Sequence, residues 1–490
     1  MSELRPAPFP VPIADLCTVL GLPAHPGTVS GLSLSTQLVR PGDLFAALPG
    51  ARTHGARFAA RAVADGATAV LTDEQGAQLL PGLTVPVLVV PDPRGTLGEL
   101  ARVIYPGPRP ALIGVTGTNG KTTTTYCIAA AAEAAGIPTA VLGTLGVRFR
   151  EHAFDSGRTT PEAPSLHAAL ARVAEVGAQW AALEVSSHAL SLHRVDGLRF
   201  QVAAFLGLTQ DHLDFHGGME DYFEAKRRLF EPRCSMRAVI NVDDAWGRRL
   251  AASVEIPYVT YGLSADAEWS AQDVAIDDAG RTTFVVQGPA GRAAVTLALP
   301  GAFNVANALA ALACVHALGA DLGSAIAGLA EVTVPGRFER IANDRGIAAY
   351  VDYAHTPDAV ARVLRVARDA TPGRLIVVLG CGGDRDAAKR PLMGAAAVAL
   401  ADLTIVTDDN PRSEDPAEIR RQVLSGVRPD VPVREIGDRA GAIREAVSVA
   451  GAGDCVMVLG KGHETGQEVA GVVHPFDDRV ELRRALGVDA

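Results

Sequence analysis

The stretch ALIGVTGTNGKT (111–122) decides the fold. Its first five residues form a short apolar run with the length and flanks of a buried strand. The glycine-rich turn that follows, Thr116 to Thr122, runs into the helical segment TTTYCIAAAAEAAG (123–136). Such a strand–turn–helix unit brings backbone N–H groups and a helix N-terminus to one point, where phosphate oxygens bind. Lys121 supplies a point charge for terminal phosphates, and the hydroxyl of Thr122 suits a magnesium ion. The strict phosphate-loop spacing asks for glycine where Val115 stands. The position between strand and helix, ending in Gly-Lys-Thr, still favours a phosphate loop over an ordinary turn.

Outward from this unit, TAVLG (139–143), WAALEV (180–185), VAAFLGL (202–208) and AVINV (238–242) read as further strands with helical patterns between them. Alternation of this kind implies a mainly parallel sheet. Upstream, GDLFAAL (42–48), ATAVLTD (67–73) and VPVLVV (85–90), with a helix at TLGELARVIY (96–105), describe a small α/β domain. It ends at the proline-rich junction 105–110. Downstream of Pro335, the strands AAYVD (348–352), LIVVLG (375–380), LTIVT (403–407) and CVMVLG (455–460) give a doubly wound, Rossmann-like pattern. The chain therefore reads as an α/β protein of three domains, 1–106, 107–335 and 336–490. At 490 residues it is too long for one core.

Composition narrows the function. A net charge of −10 argues against nonspecific nucleic-acid binding. The six cysteines are scattered without zinc spacing, as in a cytoplasmic protein with reduced thiols. The N-terminus lacks the apolar core of a signal peptide. From Ala293 to Ala320 no Asp, Glu, Lys or Arg occurs, but Pro300, Gly301 and Asn304 split the stretch. It reads as a strand, a turn and a buried helix rather than a membrane span.

Polar residues gather at strand ends. Glu184 closes WAALEV and is followed by Ser186, Ser187 and His188; TQDHLDFHG (209–217) offers Asp211, His212, Asp214 and His216. These clusters suit either a metal or helix capping. In the third domain, loops 380–386, 408–412 and 460–464 follow three strands and should meet at one rim of the sheet. They carry Arg385, Asn410, Arg412 and Glu464. Two guanidiniums and a carboxylate suit a zwitterion with an extra carboxylate.

In these segments the chain resembles the Mur ligases, whose phosphate loop reads T-G-T-N-G-K-T/S and matches 116–122 at every position. The match continues in order across nearly the whole chain. The resemblance implies an ATP-dependent, ADP-forming amide ligase of peptidoglycan synthesis that adds the third residue of the stem peptide. It implies ATP on Gly117, Thr118, Asn119, Gly120, Lys121, Thr122 and Thr123, with Asn304, Arg337, Asp352 and His355 completing the nucleotide site. Lys121, Glu184, His212 and Lys226 would be catalytic. Mg²⁺ would lie on Thr122, Glu184, His212 and Lys226, the lysine as a carbamate.

The substrates implied are a UDP-N-acetylmuramoyl dipeptide and a diamino acid. Thr159, Thr160, Ser186 and Arg194 match muramyl-peptide contacts. Thr36 matches a uridine contact, although Ser35, Thr36 and Gln37 replace the family's D-S-R. Asp409, Asn410, Pro411 and Arg412 resemble the D-N-P-R motif of enzymes using meso-diaminopimelate, with Arg385, Gly460 and Glu464 beside it. L-Lysine and L-ornithine remain open as alternatives, as does, from another class, a P-loop ATPase switch or motor. The reading expects a cytoplasmic monomer without nucleic-acid partner or membrane insertion.

Overall fold

A computed structural model describes residues 5–50, 52–154, 157–264, 266–277, 281–428 and 430–488, and the side chain of Asp214 lies outside that set. Three α/β units follow one another along the chain.

The first unit is a parallel four-stranded sheet of Gly31–Ser33, Asp43–Ala46, Ala69–Thr72 and Val87–Val89 in sequence order. Its closing helix, Leu97–Ile104, buries Leu97, Leu100, Ala101 and Ile104 in one core with Ala163, Ala168 and Ala171 of the next unit. The backbones meet closely there: a Cβ on Gly98 would lie 2.0 Å from the carbonyl oxygen of Asp196.

The second unit holds an eight-stranded sheet with Ala111–Thr116 in its interior, between Trp180–Glu184 and Val202–Phe205. Those strands pair in parallel, as do Thr139–Gly143, Ala238–Asn241 and Tyr258–Tyr261 beyond them. All five strands read from sequence in this unit are present. A hairpin, Gly146–Phe149 with His152–Phe154, continues the sheet antiparallel, and the sequence reading missed it. It also missed the strands Ser270–Ile276 and Thr282–Gly288, which with Gly291–Leu297 make an antiparallel three-stranded sheet. The charge-free stretch resolves as expected into the last of these strands and the buried helix Ala302–Ala317, which packs on Lys121–Ala134. Among the described residues no helix is long and apolar enough to cross a membrane.

The third unit has the strand order Glu339–Arg340, Ala348–Asp352, Cys455–Leu459, Leu375–Cys381, Leu403–Asp408, Val433–Glu435. Only the short first strand of this sheet is antiparallel. The loops 380–386, 408–412 and 460–464 leave the same end of three adjacent strands. A hairpin, Gly466–Val469 with Val472–Pro475, follows them.

Candidate active site

The loop after Ala111–Thr116 is shaped by glycine at two points. Gly120 has φ +87°, and a Cβ there would sit 2.4 Å from Asn307 Oδ1; Gly117 has φ +153°, with Leu206 Cβ at 2.8 Å. Neither position accommodates a side chain without movement. Lys121 folds back over the loop, donating to the carbonyls of Gly117 and Thr118 at 2.9 Å each. Burial lowers its ammonium pKa, with Glu184 and Asp211 opposing the shift. The Thr118 hydroxyl meets the Thr209 carbonyl at 3.1 Å and Tyr222 Oη at 3.2 Å, tying the loop to the next strand's end.

Around this loop, strand ends deliver polar groups. Glu184 is buried and accepts from Thr144 N at 2.8 Å and Thr144 Oγ1 at 3.1 Å. Thr144 was not picked out from sequence; it follows the end of Thr139–Gly143, a position that could have drawn attention. His212 takes a left-handed φ of +54° and lies against Asp211 at 3.5 Å. Burial pushes its pKa down to about 4, so the imidazole is neutral near pH 7. Lys226 reads from sequence alone as a solvated helix lysine, but it is buried, donates to the Gly117 carbonyl at 3.0 Å and lies over the Tyr222 ring. Burial, reinforced by Lys121, lowers its pKa well below the usual value.

Asn304 and Asn307 close the loop from the helix Ala302–Ala317. Asn307 Nδ2 donates to Asn304 Oδ1 at 3.1 Å, and Asn307 Oδ1 accepts from Thr124 Oγ1 at 3.3 Å. From the third unit, Arg337 stacks on Tyr353 and reaches Thr122 Oγ1 at 3.4 Å. Asp358 accepts from Asn119 Nδ2 at 3.2 Å. Asp352 is held by the N–H groups of Phe338 and Ala354, at 2.7 Å each. His355 is pushed down to about 4 by burial and by Lys389.

The three loops of the third unit do converge. Asn410 Nδ2 donates to Glu464 Oε2 at 2.7 Å. Arg412, with φ +54°, donates through Nη1 to the Gly383 carbonyl at 2.6 Å, and its Nε faces Glu468 at 3.5 Å. A Cβ on Gly460, φ +113°, would lie 2.5 Å from Asp409 Oδ2. Arg385 is exposed at the rim and donates to the Asp384 carbonyl.

One cleft of about 1110 Å³ joins these groups. Thr118 to Thr123, Thr159, Glu184 and His212 line it from the second unit together with Asn304, and Arg337, Asp352, His355, Arg385, Asp409, Asn410, Arg412, Gly460 and Glu464 from the third. Gly117, Lys226 and Pro411 are not on its lining. Neither are Thr160, Ser186 and Arg194, which form an adjoining cluster. Thr160 Oγ1 donates to the Glu184 carbonyl at 2.7 Å, Ser186 N donates to Thr160 Oγ1 at 3.1 Å, and Arg194 pairs with Glu162 at 3.1 Å. Thr36, in the short helix Thr36–Leu38 of the first unit, also lies away from the cleft lining. Lys389 and Lys461 went unmarked in the sequence; the first lines the cleft and the second is buried behind it.

Chemically, the cleft presents N–H donors and cations at one end and an Asn–Glu–Arg cluster at the other. Comparison with known proteins agrees with this division. Residues 28–105 match the Mur ligase family catalytic domain, 115–315 the Mur ligase middle domain, and 336–462 the Mur ligase glutamate ligase domain. The UDP-N-acetylmuramoyl-L-alanyl-D-glutamate--2,6-diaminopimelate ligase of Streptomyces coelicolor is 49% identical, covering 97% of this chain and 96% of its own. The UDP-N-acetylmuramyl-tripeptide synthetase of Leifsonia xyli is 44% identical over 99% and 98%. A solved structure of a UDP-N-acetylmuramoyl-L-alanyl-D-glutamate--2,6-diaminopimelate ligase, 35% identical, superposes with a TM-score of 0.68 over 98% of this chain and 99% of its own. With all three family domains matched in order and relatives this similar along almost its full length, the chain belongs to the Mur ligase family.

Proposed function

We propose that the chain uses ATP to join meso-2,6-diaminopimelate to the D-glutamyl γ-carboxylate of UDP-N-acetylmuramoyl-L-alanyl-D-glutamate, in the peptidoglycan pathway. It acts as a cytoplasmic monomer, with residues 1–106 receiving the uridine end, 107–335 the ATP and 336–490 the amino acid. One observation carries the reading: Lys121 with its loop and the Asn410–Arg412–Glu464 cluster line the same cleft. A switch or motor has no use for the second group.

The residues divide the work as follows. The loop 117–123 and Lys121 grip the terminal phosphates, while Asn304, Arg337, Asp352 and His355 complete the nucleotide site. Thr159, Thr160, Ser186 and Arg194 place the muramyl peptide beside them, and Thr36 meets the uridine. A γ-carboxylate oxygen attacks the γ-phosphorus and ADP leaves, giving an acyl phosphate. The amine, oriented by Arg385, Asp409, Asn410, Pro411, Arg412, Gly460 and Glu464, attacks the acyl carbon. The C–N bond forms, inorganic phosphate leaves and the nitrogen loses a proton. Fixing both partners in one cleft supplies much of the rate, and Lys121 opposes the charge that builds up during phosphoryl transfer.

The donors fit Mg²⁺. Thr122 and Glu184 offer hard oxygens, and His212, neutral at pH 7, offers a lone pair. The buried Lys226 amine, carbamylated, would place a further carboxylate beneath the loop. Among the described residues no three His, Cys, Asp or Glu side chains form a ready-made cage. When bound, the metal would offset phosphate charge.

The test is ADP and phosphate release by the purified chain, with each substrate omitted in turn and with meso-diaminopimelate, L-lysine and L-ornithine compared. Turnover that needs both the nucleotide dipeptide and meso-diaminopimelate is expected. Undiminished ADP release without the dipeptide would overturn the ligase reading.

A further inference from the structure

The side chain of Lys461 is fully buried behind the amino-acid end of the cleft. Its ammonium donates to Asn410 Oδ1 at 3.0 Å and to Glu464 Oε2 at 3.2 Å, and it lies 3.8 Å from Asp409 Oδ1. A buried lysine is costly unless every donor is used. Here its position has a consequence for both neighbours.

Asn410 Oδ1 accepts a second hydrogen bond, from Glu468 N at 3.0 Å. Turning the amide over would set its NH₂ group against an ammonium and an N–H. Asn410 therefore presents Nδ2 to Glu464 Oε2, at 2.7 Å, in one orientation only. Glu464 in turn uses Oε2 for both Asn410 and Lys461, while its side chain faces the cleft. Burial and the charge of Asp409 raise the pKa of Glu464, and Lys461 opposes that rise. The Lys461 amine thus lies between the carboxyl groups of Asp409 and Glu464, with Arg412 and Arg385 on the neighbouring loops.

We propose that Lys461 is a positioning and specificity residue. It locks the Asn410 amide and holds Glu464 Oε2 in place, so that this end of the cleft accepts an amino group beside a carboxylate held by the arginines. The inference rests on the ligase reading above and adds a residue to it.

The test uses the full chain carrying Lys461→Met, which keeps the length and removes the charge. KM for meso-diaminopimelate, ATP and the nucleotide dipeptide is measured separately, with kcat and the melting temperature. Losing charge-assisted hydrogen bonds to two groups should raise KM for the amino acid by roughly 10- to 100-fold. KM for ATP should stay within about twofold, because Lys461 touches no residue of the phosphate loop. If Lys461→Met does not fold, Lys461→Gln, which can still donate to Asn410 but carries no charge, should show the same selective rise to a lesser degree. A lower melting temperature with every KM unchanged, or equal rises for amino acid and ATP, would reduce Lys461 to a structural lysine. If the unaltered chain fails to ligate any amino acid, the ligase reading itself falls, an outcome separate from failure of the variant.

Discussion

Replacing Arg412 by alanine tests the proposed contact with the distal carboxylate of the amino acid. Its backbone is pinned independently of the side chain: Arg412 N donates to Glu468 O at 3.0 Å, and Arg412 O accepts from Ala470 N at 2.7 Å. The left-handed φ of +54° costs an alanine about as much as an arginine, so backbone strain is unchanged by the substitution. Glu468, which loses a partner, has a side chain 40% exposed and returns to water at little cost. On the proposed assignment the loss is that of the guanidinium fork to the distal carboxylate of the amino acid, together with the Nη1 bond to the Gly383 carbonyl at 2.6 Å, which every amino-acid substrate loses alike. Two charge-assisted hydrogen bonds are worth about 2–4 kcal/mol, or roughly 30- to 900-fold in kcat/KM. The lower half of that range is expected, since the Arg412 side chain is 21% exposed. Coupled ADP release against meso-diaminopimelate, L-lysine and ATP in turn gives the comparison. L-Lysine lacks the distal carboxylate, so its kcat/KM should move less than about threefold, and KM for ATP should hold. Equal losses for meso-diaminopimelate and L-lysine, or for meso-diaminopimelate and ATP, would refute the assignment of Arg412.

Lys121→Ala should abolish ligation with the fold retained, because the lysine's hydrogen bonds go to two loop carbonyls; product assay and circular dichroism check the two halves. Gly120→Ala must hold a methyl at φ +87° and displace Asn307, at about 1–2 kcal/mol for the backbone and about 1 kcal/mol for the Asn307–Thr124 bond. Its KM for ATP should rise tenfold or more, whereas Gly136→Ala, at φ +79° with nothing within 4 Å of the new methyl, should lose stability alone. His167, buried between the first and second units, is pushed down to about 4 by burial. The unfolded chain takes up its proton near pH 6.5 and the folded chain does not, so stability falls as pH drops from 6.5 toward 4, by about 3 kcal/mol at the low end. His167→Asn should flatten the melting-temperature profile in that window, and an unchanged slope would show that other groups govern it.

Sequence revealed most where local pattern and burial coincide. The strand Ala111–Thr116 is apolar on both faces because it lies inside a sheet covered by helices, and its loop is forced by glycines that leave no room for a side chain. The four long strands of the third unit were legible for the same reason. The strand Ser270–Ile276 was not, because one face is exposed at Val274 and Ile276 and the apolar alternation is broken at Asp273, which has φ +54°. Lys461 escaped because a lysine between two glycines looks solvated; only the convergence of three loops buries it. Lys226 shows the converse: its role came from family resemblance, and its burial under the phosphate loop could not have been read from an amphipathic helix.

The two interfaces between units differ in kind, and the difference bears on how the cleft works. The first unit meets the second through a shared apolar core and a backbone approach at Gly98 and Asp196 too close for a side chain. Arg109 reinforces it, donating to the Tyr105 carbonyl of the first unit at 2.5 Å and to the His167 carbonyl of the second at 2.6 Å. Such a contact needs no ligand to hold it and keeps the first unit at a fixed distance from the phosphate loop. The third unit also packs Phe303 of the second unit into its core, but it touches the phosphate loop through polar pairs, Asn119–Asp358 and Arg337–Thr122. Both pairs involve groups assigned above to the nucleotide or its metal. On the proposed assignment, a nucleotide would compete for these polar contacts at the interface that carries the amino-acid loops, and would meet none of the apolar contacts of the other.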